Sequence, residues 1–344
     1  MSPPVARFCL AAEAFFFQKE SIASCKLSYP GESTDTRGIS MGRNAEIFIA
    51  GASDRAIGVQ RVLKDVDMSG FSGAEIALKA NYNSADPPPA STHIDTLDAV
   101  CTAILAEKPK KLTLAERSGM GNTRGVLEDR GVIELAQEKG FSAVVLDELD
   151  RTGWREIQAP EVHWSRGFFI ASIFAQADRV VQTCCLKTHR FGGHFTMSLK
   201  NSVGIIAKRV PGVNHDFMGE LHSSPHQRLM IAEINKFYRT DLIVMDATEG
   251  FATGGPDKGK LIHPEVIIAG TDRVAIDAVG VALLRSYGTM RDVMEGRIFD
   301  QEQIARAAEL GIGVASAPDI RLFPLDKTAE SVAARIQVQL DADW

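Results

Sequence analysis

Cysteine is scarce in this 344-residue sequence, and none of the five (Cys9, Cys25, Cys101, Cys184, Cys185) forms a C-x-x-C pair. That spacing is what zinc ribbons and ferredoxin-type clusters need, so neither is expected. The odd count fits a reducing compartment, and Cys184-Cys185, inside an apolar run, read as core thiols. Long apolar runs are missing as well: nothing approaches the roughly 20 residues of a membrane helix. The apolar stretch from Val5 to Phe17 is broken by Arg7 and Glu13 and has no basic leader, which makes it a poor signal peptide. A cytoplasmic location is the expectation. Excess positive charge is also lacking, and a net charge of −6 argues against general nucleic-acid or membrane-surface binding. There is no P-loop, nucleophile elbow, kinase signature or repeat of fixed period.

What remains is an alternation of strand and helix. Residues 1–42 stand apart, because turn-forming residues fill Tyr29–Gly42 and the first convincing strand begins at Ala45. They read as a poorly ordered N-terminal extension, or as one that translation from Met41 would omit. Apolar runs of about five residues (AEIFIAG, AEIALKA, KKLTLAE, SAVVLDE) then alternate with helical segments at Arg55–Lys64, Asp95–Glu107 and Arg124–Lys139. DRVVQTCCL, DLIVMDA and EVIIAG continue the pattern, with helices over Pro225–Tyr238, Arg273–Tyr287, Gln301–Leu310 and Lys327–Leu340. This is the signature of an α/β fold: mostly parallel sheets with flanking helices, in two βαβ-type halves at 43–160 and 161–344.

Ligands of such folds collect beyond the carboxyl ends of the strands. The segment LKTHRFGGHFTMSLKNSVG (Leu186–Gly204) follows a buried strand and combines Lys187, His189, a Gly-Gly pair, Thr196, Ser198, Lys200 and Asn201. Lysines, hydroxyls and glycines in one loop suit a carboxylate or phosphate. Five of the eight histidines and a local excess of four positive charges fall between Lys187 and Arg228. His222 and His226 have i, i+4 spacing and are candidate ligands of a divalent metal, although Pro225 reads as a helix start and leaves His222 in the loop before it. Asp246 closes DLIVMDA beside the glycine loop Gly254–Gly259, where a carboxylate could act as base, metal ligand or lysine orienter. Asn81 and Glu116, at strand ends of the first half, and Gly255 complete the expected pocket. Asp272 reads as a helix N-cap. Asp277, inside an apolar helix, needs a polar partner, for which Lys187 or Lys200 is expected. Ser118-Gly119-x-Gly121-Asn122-Thr123 could cradle a phosphate through its backbone N–H groups.

The blocks LKTHRFGGHFTMSLKNSVG, VMDATEGFATGGPDKG and AGTDRVAIDAVG resemble the family catalogued as domain of unknown function 362. LKANYN and Ala308–Gly313 match its looser outer blocks, so the resemblance covers roughly residues 45–315. Many relatives carry a ferredoxin-type domain, which implies a redox protein partner; this chain lacks those cysteines, so no iron–sulfur cluster is expected. The His189, glycine and Lys200 block is also distantly similar to that of lactate racemase, which uses a nickel-pincer nucleotide on a 2-hydroxy acid. That likeness implies a metal ligand at His189 and an anion near Lys200. Two functions are compatible with these residues. One is an enzyme moving a proton on a small anionic metabolite, as in racemisation or isomerisation, with His189, Lys187 and Asp246 catalytic. The other is a non-catalytic cofactor- or nucleotide-binding accessory module for a redox partner.

Overall fold

The structure, a computed structural model, describes residues 44–342; the expectation for residues 1–42 lies outside them. Twelve strands are formed: β1 Ala45–Gly51, β2 Glu75–Lys79, β3 Lys111–Glu116, β4 Ser142–Val145, β5 Trp154–Ile157 and β6 Phe168–Ala171, then β7 Arg179–His189, β8 His194–Phe195, β9 Leu242–Gly254, β10 Gly259–Ile262, β11 Val266–Gly270 and β12 Ile320–Pro324. Ten of them make one mixed, largely parallel sheet in the order β12-β1-β11-β9-β7-β2-β3-β4, with β8 and β10 attached to β7 and β9. Only β11 runs against its neighbours β1 and β9 along that path. Strands from 43–160 and from 161–344 therefore share a single sheet, flanked by helices as an α/β fold requires. β5 and β6 form a separate antiparallel pair.

The helices follow the sequence pattern closely, with two informative departures. The helix expected over Arg124–Lys139 is two, Thr123–Asp129 and Val132–Lys139, because Gly131 takes a left-handed φ of +72° between them. The region after β7 is not a plain loop. It holds the short helices Ser198–Asn201 and Phe217–Ser223, so His222 is helical, and the next helix starts at Gln227 with His226 at its cap. Asp272 is the N-cap it was read to be, accepting from Val274 N and Ala275 N.

β2, β3, β7 and β9 are mutually parallel along their paired stretches, so the carboxyl ends of the first three open on one edge. β7 and β9 have 11 and 13 residues against five or six in β2, β3 and β11, and they run beyond that edge. Their pairing shifts register between Cys185 and Leu186, which face Asp246 and Gly250 respectively. Asp246 therefore sits within β9, ahead of a bulge, and does not end the strand as the sequence suggested.

The helix Arg273–Ser286 is buried along most of its length. Its Asp277 carboxylate accepts hydrogen bonds from Ser198 N at 2.7 Å and Leu199 N at 3.2 Å. The expected lysine partner is thus replaced by two backbone N–H groups at the start of the helix that carries Lys200. Burial raises the Asp277 carboxyl to about 8, with the bonds from Leu199 and Ser198 acting against it. Asp277→Ala strands two buried donors and should cost about 2–4 kcal/mol in urea unfolding. Asp277→Asn, which keeps one acceptor, should recover part of that loss. Wild-type stability in the alanine variant would show that the contact does not hold the short helix.

Candidate functional site: a basic cavity at the sheet edge

Lys79, Glu116 and Lys187 stand at or near the ends of adjacent parallel strands. Lys79 Nζ lies 2.6 Å from Glu116 Oε1, and both side chains are almost wholly buried. Lys79 also donates to Ala80 O and, at 3.2 Å, to Asn201 Oδ1. Glu116 accepts from Arg117 N at 2.8 Å and Tyr82 N at 3.2 Å. Burial pushes the Lys79 ammonium down and the Glu116 carboxyl up, while each partner's charge pulls the other back. Gly204 leaves room for the pair, since a Cβ there would lie 2.5 Å from Lys79 Cε and force that side chain to shift. Lys187 Nζ donates to Asn81 Oδ1 at 2.6 Å and to Ala90 O, both neutral. Burial is the chief force holding its ammonium below the usual range.

These residues line a cavity of about 640 Å³ together with Arg117, His189, Thr196, Lys200, Asn201, Lys208 and His222. Its wall has five lysines and arginines against one carboxylate, Glu116. Lys208 is drawn outward to Asp147 at 3.1 Å. Arg117 donates to Val203 O and to Met218 Sδ, and its Nε and Nη1 are buried without a partner. Lys200 has no hydrogen bond or ion pair within the described residues. Burial, then Lys187 and Arg117, bring its ammonium down to about 7. His189 ends β7, and its Nδ1 accepts from Gly193 N at 3.3 Å, which leaves the proton on Nε2. Burial, followed by Lys200 and Lys187, holds the imidazole far below its ordinary range, so the ring is neutral. A Cβ on Gly193 would fall 2.9 Å from His189 Nδ1 and 3.0 Å from Lys200 Cε, so glycine there lets the two side chains share the space.

Of the residues read from the sequence, Lys187, His189, Lys200, Asn201, Thr196, Asn81, Glu116 and His222 line the cavity, and Asp246, Asp277, Ser198, Gly255 and His226 do not. Asp246 is held elsewhere, by Arg55 Nε at 3.0 Å, Thr96 Oγ1 at 2.6 Å and Thr248 N at 3.0 Å. Its place ahead of the β9 bulge turns it to those partners, so it neither faces nor orients the lysines. Ser198 Oγ donates to Gln182 Oε1 at 2.9 Å inside the core. Gly255 supports the wall from behind, accepting from Arg190 N at 3.3 Å, and its neighbour Pro256 reaches the cavity. The expected phosphate cradle is closed, because Ser118 N donates to Thr123 Oγ1, Gly119 N to Asn83 Oδ1 and Met120 N to Asn83 O. Lys79 and Arg117 stand close to the expected strand-end residues Asn81 and Glu116 in the sequence, but only the strand order brings them to Lys187. Phe191, Met120 and Met218 at the wall carried no sequence signal.

His222 and His226 do not form a ligand pair. His226 packs against His163 in a tilted pair with ring centroids 4.6 Å apart, and His222 Nδ1 is taken by Met218 O at 2.7 Å. Among the described residues no group of three His, Cys, Asp or Glu could hold a metal. Cys184 and Cys185 are buried free thiols. The lining chemistry, cationic with its one carboxylate already engaged, repels a divalent cation and favours an anion.

Lys79→Met would leave Glu116 buried without its partner and should cost about 3–5 kcal/mol in chemical unfolding. The double variant Lys79→Met/Glu116→Gln should recover most of that. If the two losses simply add, the pair is not coupled.

The family model described as a domain of unknown function (DUF362) matches residues 76–282. It is narrower than the resemblance over 45–315 and leaves Ala308–Gly313 outside. No curated protein matches the chain. Among solved structures the chain is similar to the lactate racemase apoprotein from Thermoanaerobacterium thermosaccharolyticum, at 15% identity and a TM-score of 0.43, over 65% of this chain and 54% of that one. It thus spans about half the length of that protein. The family match takes in β2, β3, β7 and β9 and every charged side chain of the cavity wall, and the chain belongs to the DUF362 family.

Proposed function

We propose that this protein is an enzyme that binds a small anionic metabolite, a carboxylate or phosphate, and moves a proton on it. The observation that carries the reading is the gathering of Lys79, Arg117, Lys187 and Lys200 on one cavity wall with Glu116 as the sole carboxylate. Lys79 is compensated by Glu116, so Lys187 and Arg117 are the cations left for the ligand. An anion there lowers the cost of burying them and is bound more strongly than it would be in water.

Lys200 is the proton acceptor in this reading. Its amine has no competing partner among the described residues, and an ammonium brought down to about 7 is half deprotonated near neutrality. A base with that value is well matched to proton abstraction next to a carboxylate. His189, neutral and protonated on Nε2, donates a hydrogen bond to the substrate oxygen on which charge develops. It does not relay the proton as an imidazolium. Asp246 has no part in the reaction, because Arg55 and Thr96 occupy it.

The test is deuterium exchange from D2O into a panel of 2-hydroxy and 2-oxo carboxylates and organic phosphates, followed by mass spectrometry. Lys200→Met should lower exchange by about 10²–10⁴-fold and leave the melting temperature near wild type. The same should hold for His189→Ala; a large loss of stability there would make the ring structural. Exchange should rise with pH through about 7, as the Lys200 amine loses its proton, while anion affinity falls over the same interval. Both limbs should vanish in Lys200→Met. Stoichiometric anion binding with no exchange on any compound would instead favour the cofactor- or nucleotide-binding module.

A further inference from the structure

The same cavity also has an apolar side. Phe191 and Met120 are 49% and 42% exposed, two of six large apolar side chains so exposed among the described residues. They come from separate loops, after β7 and after β3, yet both line the basic cavity. Met218 lines it too, and its sulfur lies 3.4 Å from Arg117 Nη2, so apolar wall and basic floor meet there. Apolar side chains left open at a cavity mouth are expected where a ligand covers them.

Size and charge point the same way. About 640 Å³ is space for a ligand of drug-like size, whereas a single water takes roughly 30 Å³ of the liquid. A bare inorganic anion or a three-carbon acid would leave most of the volume to solvent. On the charge side, Lys187 and Arg117 meet only neutral acceptors. With Lys200 serving as the base, these two cations remain, and a single negative charge leaves one of them uncompensated.

We propose, on the footing of the anion-binding reading above, that the ligand is an amphipathic dianion. Its phosphate-type head lies between Lys187 and Arg117, and an aromatic or acyl body covers Phe191, Met120 and Met218. The head supplies orientation and charge compensation, and the body supplies the apolar burial that selects this ligand over free phosphate.

Isothermal titration of the full chain with inorganic phosphate, phenyl phosphate and 1-naphthyl phosphate tests this. Affinity should rise about tenfold per ring, as expected for burial of apolar area, with a heat-capacity change that grows more negative along the series. Phe191→Ser and Met120→Ser, on separate loops, should each lose much of the aryl increment and bind inorganic phosphate within about twofold of wild type. Equal affinity for all three phosphates would overturn the amphipathic ligand and leave the anion pocket standing. An aryl increment that survives in both variants would overturn the placement of the body. Failure of every phosphate to bind would remove the anion reading itself, and this proposal with it.

Discussion

Burial of positive charge at the end of a parallel sheet is the constraint around which the polar architecture is arranged. A lone buried ammonium costs several kcal/mol, so each of the cavity's cations must be compensated, neutralised or given a ligand. Lys208 is paired with Asp147, and the other four meet that demand differently. Lys79 is compensated by Glu116. Lys187 is solvated by an amide and a carbonyl oxygen. Arg117 is only partly satisfied, and Lys200 has no partner among the described residues and gives up its proton more easily. The gradation runs from a fully paired charge to one without a hydrogen-bonding partner among the described residues.

Local backbone structure serves the same end. Lys200 projects from a helix of four residues, Ser198–Asn201, too short to be stable alone. Asp277 anchors its first turn from the buried helix Arg273–Ser286. Asn201, on the same short helix, meets Lys79 and donates to Thr183 O. A segment that composition marks as a loop is thereby fixed to the sheet from two sides.

Much of this was legible from residue patterns and some was not. The strand and helix alternation identified the α/β class, and the rule that sites lie past strand ends singled out Lys187, His189 and Lys200, although β7 runs three residues beyond its apolar run and ends at His189. Asp246 misled for a definite reason: β9 does not stop after DLIVMDA but bulges and continues to Gly254. Apolar periodicity cannot register a bulge. Asp277 was rightly marked as needing a polar partner, yet a sequence does not distinguish a lysine from a pair of backbone donors. Arg117 and Lys79 lie close to the strand-end residues Glu116 and Asn81 but joined the site only through the order β7-β2-β3, which is a property of pairing and not of local composition. The short helices after β7 are held by tertiary contacts that propensity does not report.

The unequal strand lengths bear on how this cavity can evolve and move. β7 and β9 overrun the sheet edge and pick up β8 and β10, so the outer wall behind His189 is a continuation of the two central strands. Thr188 Oγ1 ties the overhang together by donating to Phe251 O at 3.1 Å. A wall built this way inherits the rigidity of the core beneath it. Variation in what the cavity accepts is therefore left to the turns that cap it, at Arg190–Gly193 and Ser118–Asn122, where side chains can change without disturbing the ladder that holds the charges.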